Sequence, residues 1–168
     1  MIEYRKGDLF DFFDDYRQKE EVIPRFILHS CNCKGVWGSG FAVQAKMKFK
    51  SAFQHYKLFC EREKEENLVG NYKISITSVR MINLFTSRGY GKFVDLPEKI
   101  LENTEKALNL MFDELDEKHG YRSVEIHSPK INSGLFKVPW EKTEAIILDQ
   151  FEKHKDRNLS WIVWELDL

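Results

Sequence analysis

Two short runs, Phe26-Ile27-Leu28 and Trp161-Ile162-Val163-Trp164, are apolar at consecutive positions. A strand with one face in water alternates apolar and polar residues, so an unbroken run reads as a strand covered on both faces. These runs extend to strands over Phe26 to Ser30 and Ser160 to Leu166. Further strand-like stretches are Ile2 to Lys6, Tyr72 to Thr77, Val79 to Phe85 and Ser123 to His127. Helical patterns lie between them. Phe41 to Phe49 is apolar-rich. Ser51-Ala52-Phe53-Gln54 has the form of a capping box and places Phe53, Tyr56 and Cys60 on one helix face. Asp95 and Pro97 open another helix, whose stripe is Leu101, Thr104, Leu108, Met111 and Leu115 and whose stop is Gly120. Pro139 opens the last, carrying Ile146, Ile147 and Phe151. Strands alternating with helices, with one adjacent strand pair around Thr77-Ser78, predict an α/β fold: three layers, α/β/α, around a mixed sheet of about six strands. No repeat, low-complexity tract or linker interrupts the 168 residues, so a single domain over 1–168 is expected.

Charge narrows the partners. The formal net charge is −1, without the basic stripe of a protein that tracks a nucleic-acid backbone. Nucleic-acid binding is therefore not expected, whereas a small anion held by backbone N–H groups needs no positive balance. No apolar run approaches the roughly 18–20 residues that span a bilayer, and Met1 to Gly7 reads as a first strand, not a signal peptide. Cys31, Cys33 and Cys60 lack metal-site spacing, and Cys31 and Cys33 are too close for an ordinary bridge. Reduced thiols predict a cytoplasmic or nuclear protein. No cofactor and no metal are expected, and a monomer is.

Three segments carry chemistry. His29-Ser30-Cys31-Asn32-Cys33-Lys34-Gly35-Val36-Trp37-Gly38-Ser39-Gly40-Phe41-Ala42 joins a buried strand to a helix. The first amides of a helix lack partners and the helix dipole is positive there, which suits an anion. Glycines let the backbone approach a diphosphate and adopt φ > 0, a freedom expected to matter at Gly38. Pro129-Lys130-Ile131-Asn132-Ser133-Gly134-Leu135-Phe136-Lys137-Val138-Pro139-Trp140 repeats the plan: strand, small residues, proline-started helix. Two such loops can face each other across a crevice at strand ends. The third segment, Lys6-Gly7-Asp8-Leu9-Phe10, offers Asp8 as a helix cap or as an acceptor for a purine amine.

Together these segments resemble the macro domain family. Gly7-Asp8-Leu9 is similar to its opening motif, Asn32 with Trp37-Gly38-Ser39-Gly40 to its diphosphate loop, and Ser133 to Pro139 to its second loop. The strings from His29 to Gly40 and from Pro129 to Trp140 resemble, within that family, the ADP-ribose-1″-phosphate phosphatases. The resemblance implies binding of ADP-ribose or its 1″-phosphate, or of an ADP-ribosylated protein. It implies that Asp8 accepts from the adenine amine beside Leu9 and that Asn32 bonds the distal ribose. Gly38, Ser39, Gly40 and Phe41 would offer amides to the diphosphate, with Ala42 starting the helix. Ser133, Gly134 and Leu135 would close the other side, with Phe136 against the distal ribose. Gly7, Ser30, Cys31, Trp37, Asn132 and Lys137 complete the expected substrate-binding set.

The sequence departs from hydrolytic relatives that carry His before the glycines, where Trp37 stands, and from those with Asp after the second loop's Gly-Leu, where Phe136 stands. Ser39 replaces the central glycine, so one Cβ must fit near the phosphates. For hydrolysis of a phosphomonoester, His29 is the preferred acid–base candidate and Asn32 the candidate for orienting water. His127 is a weaker candidate; His55, His119 and His154 read as solvated. Arg88 or Lys92, in a glycine-rich stretch before Asp95, could reach a terminal phosphate. Hydrolysis of other ADP-ribose adducts and plain binding of ADP-ribose stay open beside the phosphatase reading.

Overall fold

The computed structural model describes residues 1–166. Its elements run β1 (Ile2–Lys6), α1 (Leu9–Phe12), β2 (Arg25–Cys31), α2 (Gly40–Lys48), α3 (Lys50–Arg62), α4 (Glu65–Leu68), β3 (Tyr72–Ile76), β4 (Arg80–Phe85), α5 (Pro97–Glu114), β5 (Ser123–Ser128), α6 (Trp140–Lys153) and β6 (Asn158–Glu165). The strands form one mixed sheet in the order β1-β6-β5-β2-β4-β3. All neighbours are parallel except β3 and β4, the adjacent pair, which are antiparallel. The three-layer α/β/α expectation holds.

Alternation along β2 divides the core. Phe26 and Leu28 join Ile82, Leu84, Ile126, Trp161 and Val163 beneath α5 and α6. Ile27 and Cys31 face the other way, with Met81 and Phe85, beneath α1 to α4. Phe26, Ile27 and Leu28 are all fully buried, which is why no polar residue interrupts the run. Removing one such side chain to alanine costs about 2–5 kcal/mol. Among the described residues no helix is long and apolar enough to cross a membrane.

Local details differ from expectation in four places. Helix α3 begins at Lys50, directly after α2, so Ser51 lies inside its first turn and no side chain caps it. Leu96, not Asp95, precedes Pro97 at the start of α5. Asp95 instead accepts the Arg88 N–H at 2.9 Å, and its own N–H donates to Ser87 Oγ at 3.0 Å, closing the connection after β4. Leu101 is only half-buried, because the inward stripe of α5 runs through Ile100, Asn103, Thr104, Ala107, Leu108, Met111 and Phe112.

Candidate functional site

Strands β1, β2, β4, β5 and β6 run in one direction, so the chain leaves all five on the same edge of the sheet. A cleft of about 730 Å³ opens on that edge. Its walls are the two strand-to-helix loops of the sequence analysis, with Tyr90 and Gly91 added from the connection after β4. Of the expected residues, His29, Ser30, Cys31, Asn32, Trp37, Gly38, Ser39, Gly40, Phe41, Ala42, Asn132, Gly134, Leu135, Phe136 and Lys137 line it. Gly7, Asp8, Leu9 and Ser133 do not.

The first loop is held by its side chains and leaves its amides free. Asn32 Nδ2 donates to the Val36 carbonyl at 2.8 Å, and its Oδ1 accepts the Lys34 N–H at 2.9 Å. The Tyr56 hydroxyl, on α3, lies 2.9 Å from both the carbonyl and Oδ1 of Asn32 and accepts the Val36 N–H at 3.2 Å. The turn is thus bolted to α3 before it reaches the glycines. Ser39 occupies the N-cap of α2 without using its hydroxyl. The first bond of that helix runs from the Val43 N–H to the Ser39 carbonyl, so the N–H groups of Gly40, Phe41 and Ala42 have no intrahelical acceptor. All three residues line the cleft. This is an anion site made of main chain.

The glycine roles shift from expectation. Gly40, not Gly38, has φ in the left-handed region, at +60°. Ser39 is extended, with φ −161°, so its Cβ brings no strain.

The second loop is fixed from below by Asn132. Its Oδ1 accepts from Thr86 Oγ1 at 2.9 Å, and its Nδ2 donates to Thr104 Oγ1 at 2.9 Å and Thr143 Oγ1 at 3.3 Å. Its N–H donates to Ser30 Oγ at 3.1 Å, which ties this loop to the end of β2. Asn132, Thr86, Thr104 and Thr143 are all buried, so three neighbouring elements converge on one amide side chain. Asn132 and Lys137 are the two non-glycine residues with left-handed φ among the described residues, at 65° and 59°. Such a conformation costs a side-chain-bearing residue about 1 kcal/mol or more. Asparagine tolerates it; lysine has no such excuse.

The titratable groups are quieter than expected. His29 is 2% exposed, with Nε2 2.9 Å from Asn83 Oδ1 and its ring edge-on to Trp37 at 4.6 Å. Burial lowers its pKa to about 4, only partly opposed by the Asn83 bond, so the imidazole is neutral at physiological pH. The Cys31 Sγ lies 3.2 Å from the same Nε2, and burial pushes that thiol well up. The pair is therefore thiol and imidazole, not thiolate and imidazolium. Trp37 is buried, and its indole N–H has no nitrogen or oxygen acceptor.

Outside the cleft, Asp8 accepts the Phe10 N–H at 2.9 Å and caps α1, which is its helix-cap reading. Leu9 packs into the core and cannot also lie open beside a base. His127 is fully buried, 2.5 Å from Glu125 Oε1 and accepting the Trp164 indole N–H at 2.9 Å. Burial lowers its pKa against the pull of Glu125. His119 and His154 are not simply solvated: His119 Nε2 lies 3.1 Å from the Tyr72 hydroxyl, and His154 Nε2 lies 2.8 Å from Asp113 Oδ1. Neither Arg88 nor Lys92 lines the cleft; Tyr90 and Gly91 between them do. The missed signal was Gly89-Tyr90-Gly91, an aromatic between glycines at a third strand end. Among the described residues no three His, Cys, Asp or Glu side chains gather as a metal-binding group.

Comparison with known proteins accounts for the arrangement. A family model for the macro domain matches residues 28–147. An ADP-ribose 1″-phosphate phosphatase of Debaryomyces hansenii is 34% identical over 88% of this chain and 92% of its own. One from Candida glabrata is 32% identical over 98% of both. Among solved structures, the macrodomain of Mycobacterium tuberculosis DarG superposes with a TM-score of 0.72 at 20% identity, over 98% of this chain and 97% of that one. Thermosipho africanus DarTG in complex with ADP-ribose gives 0.69 at 16% identity, over 99% of this chain and 42% of that one. The sheet order, the paired strand-end loops and these matches lead to one conclusion: the chain belongs to the macro domain family.

Proposed function

We propose that the protein hydrolyses ADP-ribose 1″-phosphate to ADP-ribose and inorganic phosphate. The observation that carries this reading is a cleft walled by main-chain donors and, among the described residues, lined by no carboxylate, in a chain similar along most of its length to phosphatases of that name. The free amides at Gly40, Phe41 and Ala42 suit the diphosphate, and Phe136, half-buried at the rim, suits the face of the distal ribose. Asp8 keeps one carboxylate oxygen beyond its cap bond for the adenine amine. Water oxygen attacks phosphorus, the bond from phosphorus to the anomeric oxygen breaks, and one proton of that water ends on the anomeric oxygen, so ADP-ribose and hydrogen phosphate depart. A hemiacetal oxygen leaves more readily than an ordinary alkoxide, so the step leans on charge stabilisation more than on a strong acid. Asn32, with one N–H of its amide unspent, is the residue assigned to hold the water. A metal-independent reaction and a monomer in a reducing cytoplasmic or nuclear compartment complete the reading.

One observation favours a second reading, a binding module for ADP-ribose or ADP-ribosylated protein: His29 and Cys31 are buried neutral groups. Phosphate release from ADP-ribose 1″-phosphate in EDTA separates the two. Turnover that falls at least about tenfold in Asn32→Ala supports the enzyme, since a positioned water and its orienting bond are worth that much. Tight binding of ADP-ribose without turnover of any adduct leaves the binding module.

A further inference from the structure

Lys137 stands out on three counts. It holds a left-handed φ of 59° that lysine adopts only at a cost. It is exposed and lines the cleft. Among the described residues it also has no carboxylate partner. The other lysine that lines the cleft, Lys130, is committed to Glu165 at 3.0 Å.

Among the described residues no carboxylate lines the cleft to neutralise Lys137. The strain fixes where its side chain departs, because φ at this residue is set by the Lys137 N–H bond to the Gly134 carbonyl at 3.1 Å and the Val138 N–H bond to Asn132 at 2.9 Å. A uniform amide cradle cannot tell ADP-ribose from its phosphorylated form, since both carry the same diphosphate. What differs is a terminal phosphomonoester of nearly two negative charges. A lysine is a compact point charge suited to such a dianion.

We propose that Lys137 is the specificity-determining residue that selects a terminal phosphomonoester, so that the cleft prefers ADP-ribose 1″-phosphate over the ADP-ribose it releases. This rests on the phosphatase reading. The left-handed strain is retained because only a side chain leaving the loop at that point brings an unneutralised cation over the cleft.

The test compares wild type with Lys137→Gly, Lys137→Gln and Lys137→Arg. Each is assayed for kcat/KM on ADP-ribose 1″-phosphate and for inhibition by ADP-ribose. The expected result is a loss of kcat/KM of about tenfold or more in Lys137→Gly and Lys137→Gln, in line with one charge-assisted contact. Inhibition by ADP-ribose should change less than about twofold in both, with Lys137→Arg retaining most of the discrimination. The salt sensitivity of kcat/KM should shrink in the neutral variants. Lys137→Gly should melt no lower than wild type, because glycine relieves the left-handed residue. Equal losses for both ligands would give the lysine to the diphosphate, and no loss for either would leave it to solvent; each overturns the proposal. A wild type that binds both ligands without turnover would instead defeat the phosphatase reading. The ratio of the two dissociation constants, wild type against Lys137→Gly, would then still decide the role of Lys137. A wild type that binds neither ligand overturns both.

Discussion

The two loops that wall the cleft share a plan, strand to small residues to helix, and are stabilised in opposite ways. The loop after β2 hangs on a brace from a single helix: Asn32 and the buried Tyr56 hydroxyl hold the turn, and the amides of Gly40 to Ala42 are left unspent. The loop after β5 hangs on a buried network, with Asn132 bonded to Thr86, Thr104 and Thr143 and its backbone carried through two left-handed residues. One loop is a donor surface braced from one helix, the other a wall on a keystone that ties several elements. An amide cradle needs both, because unspent donors hold an anion only if the opposite wall stays in place.

The largest expected effect falls on the keystone. Asn132→Ala removes three buried side-chain bonds and puts alanine at φ 65°, so it should cost about 3–4 kcal/mol of stability. Asn32→Ala should cost only about 1–2 kcal/mol, because the Lys34 N–H and the Val36 carbonyl belong to turn residues open to water and only the Tyr56 hydroxyl is buried. Denaturant midpoints of the two variants check this, and the reverse order would break the contrast.

The next effect separates the glycines. Gly38→Val places a branched side chain on the cleft wall while its Cβ meets only Val36 Cγ1 at 3.4 Å. ADP-ribose binding should weaken about 100-fold, close to 3 kcal/mol, with the melting temperature near that of wild type. Gly40→Ala should destabilise by about 1 kcal/mol, because φ +60° costs alanine what it does not cost glycine. Calorimetry and thermal melts on the pair test the assignment.

His29 sharpens the contrast through pH. The free imidazole titrates near 6.5 and the folded one near 4, so between those values the unfolded chain binds more protons. Stability is therefore whole above about pH 6.5 and drains as pH falls toward about 4, by roughly 2 kcal/mol at pH 5. His29→Gln should flatten this part of the stability profile, measured by denaturation at pH 7 and pH 5. Buried His127, also lowered, adds a smaller slope that the variant keeps.

The smallest effect is on the brace. Tyr56→Phe leaves the ring stack with Trp37 in place but strips its hydroxyl from Asn32 and Val36. It should cost about 1 kcal/mol and weaken ligand binding a few-fold.

All six strands were legible in the sequence: β2 and β6, covered on both faces, read as apolar runs, β1 and β5 as short strand-like stretches, and β3 and β4 were betrayed by the turn at Thr77-Ser78. The four-residue helix α4 was not, since Glu65-Glu66-Asn67-Leu68 is too short to show a period. The glycine loop was visible as a motif, but which glycine turns left-handed depends on where α2 starts, and the burden falls on Gly40, two residues past Gly38. Thr104 was read as part of an apolar stripe; its tie to Asn132 exists only once α5 and the second loop are placed together. His29 looked like an acid–base group from its position at a strand end. Its bond to Asn83, on the neighbouring strand, and its burial keep the ring neutral, and neither is a property of the local sequence.

The decisive measurement is a titration of isotope-labelled protein with millimolar ADP-ribose, followed through backbone amide resonances. A main-chain grip predicts that signals from residues 38–41 and 133–136 move together and saturate with one dissociation constant. If those amides stay still while the ligand binds, or if nothing moves at all, the diphosphate is not held by these two loops.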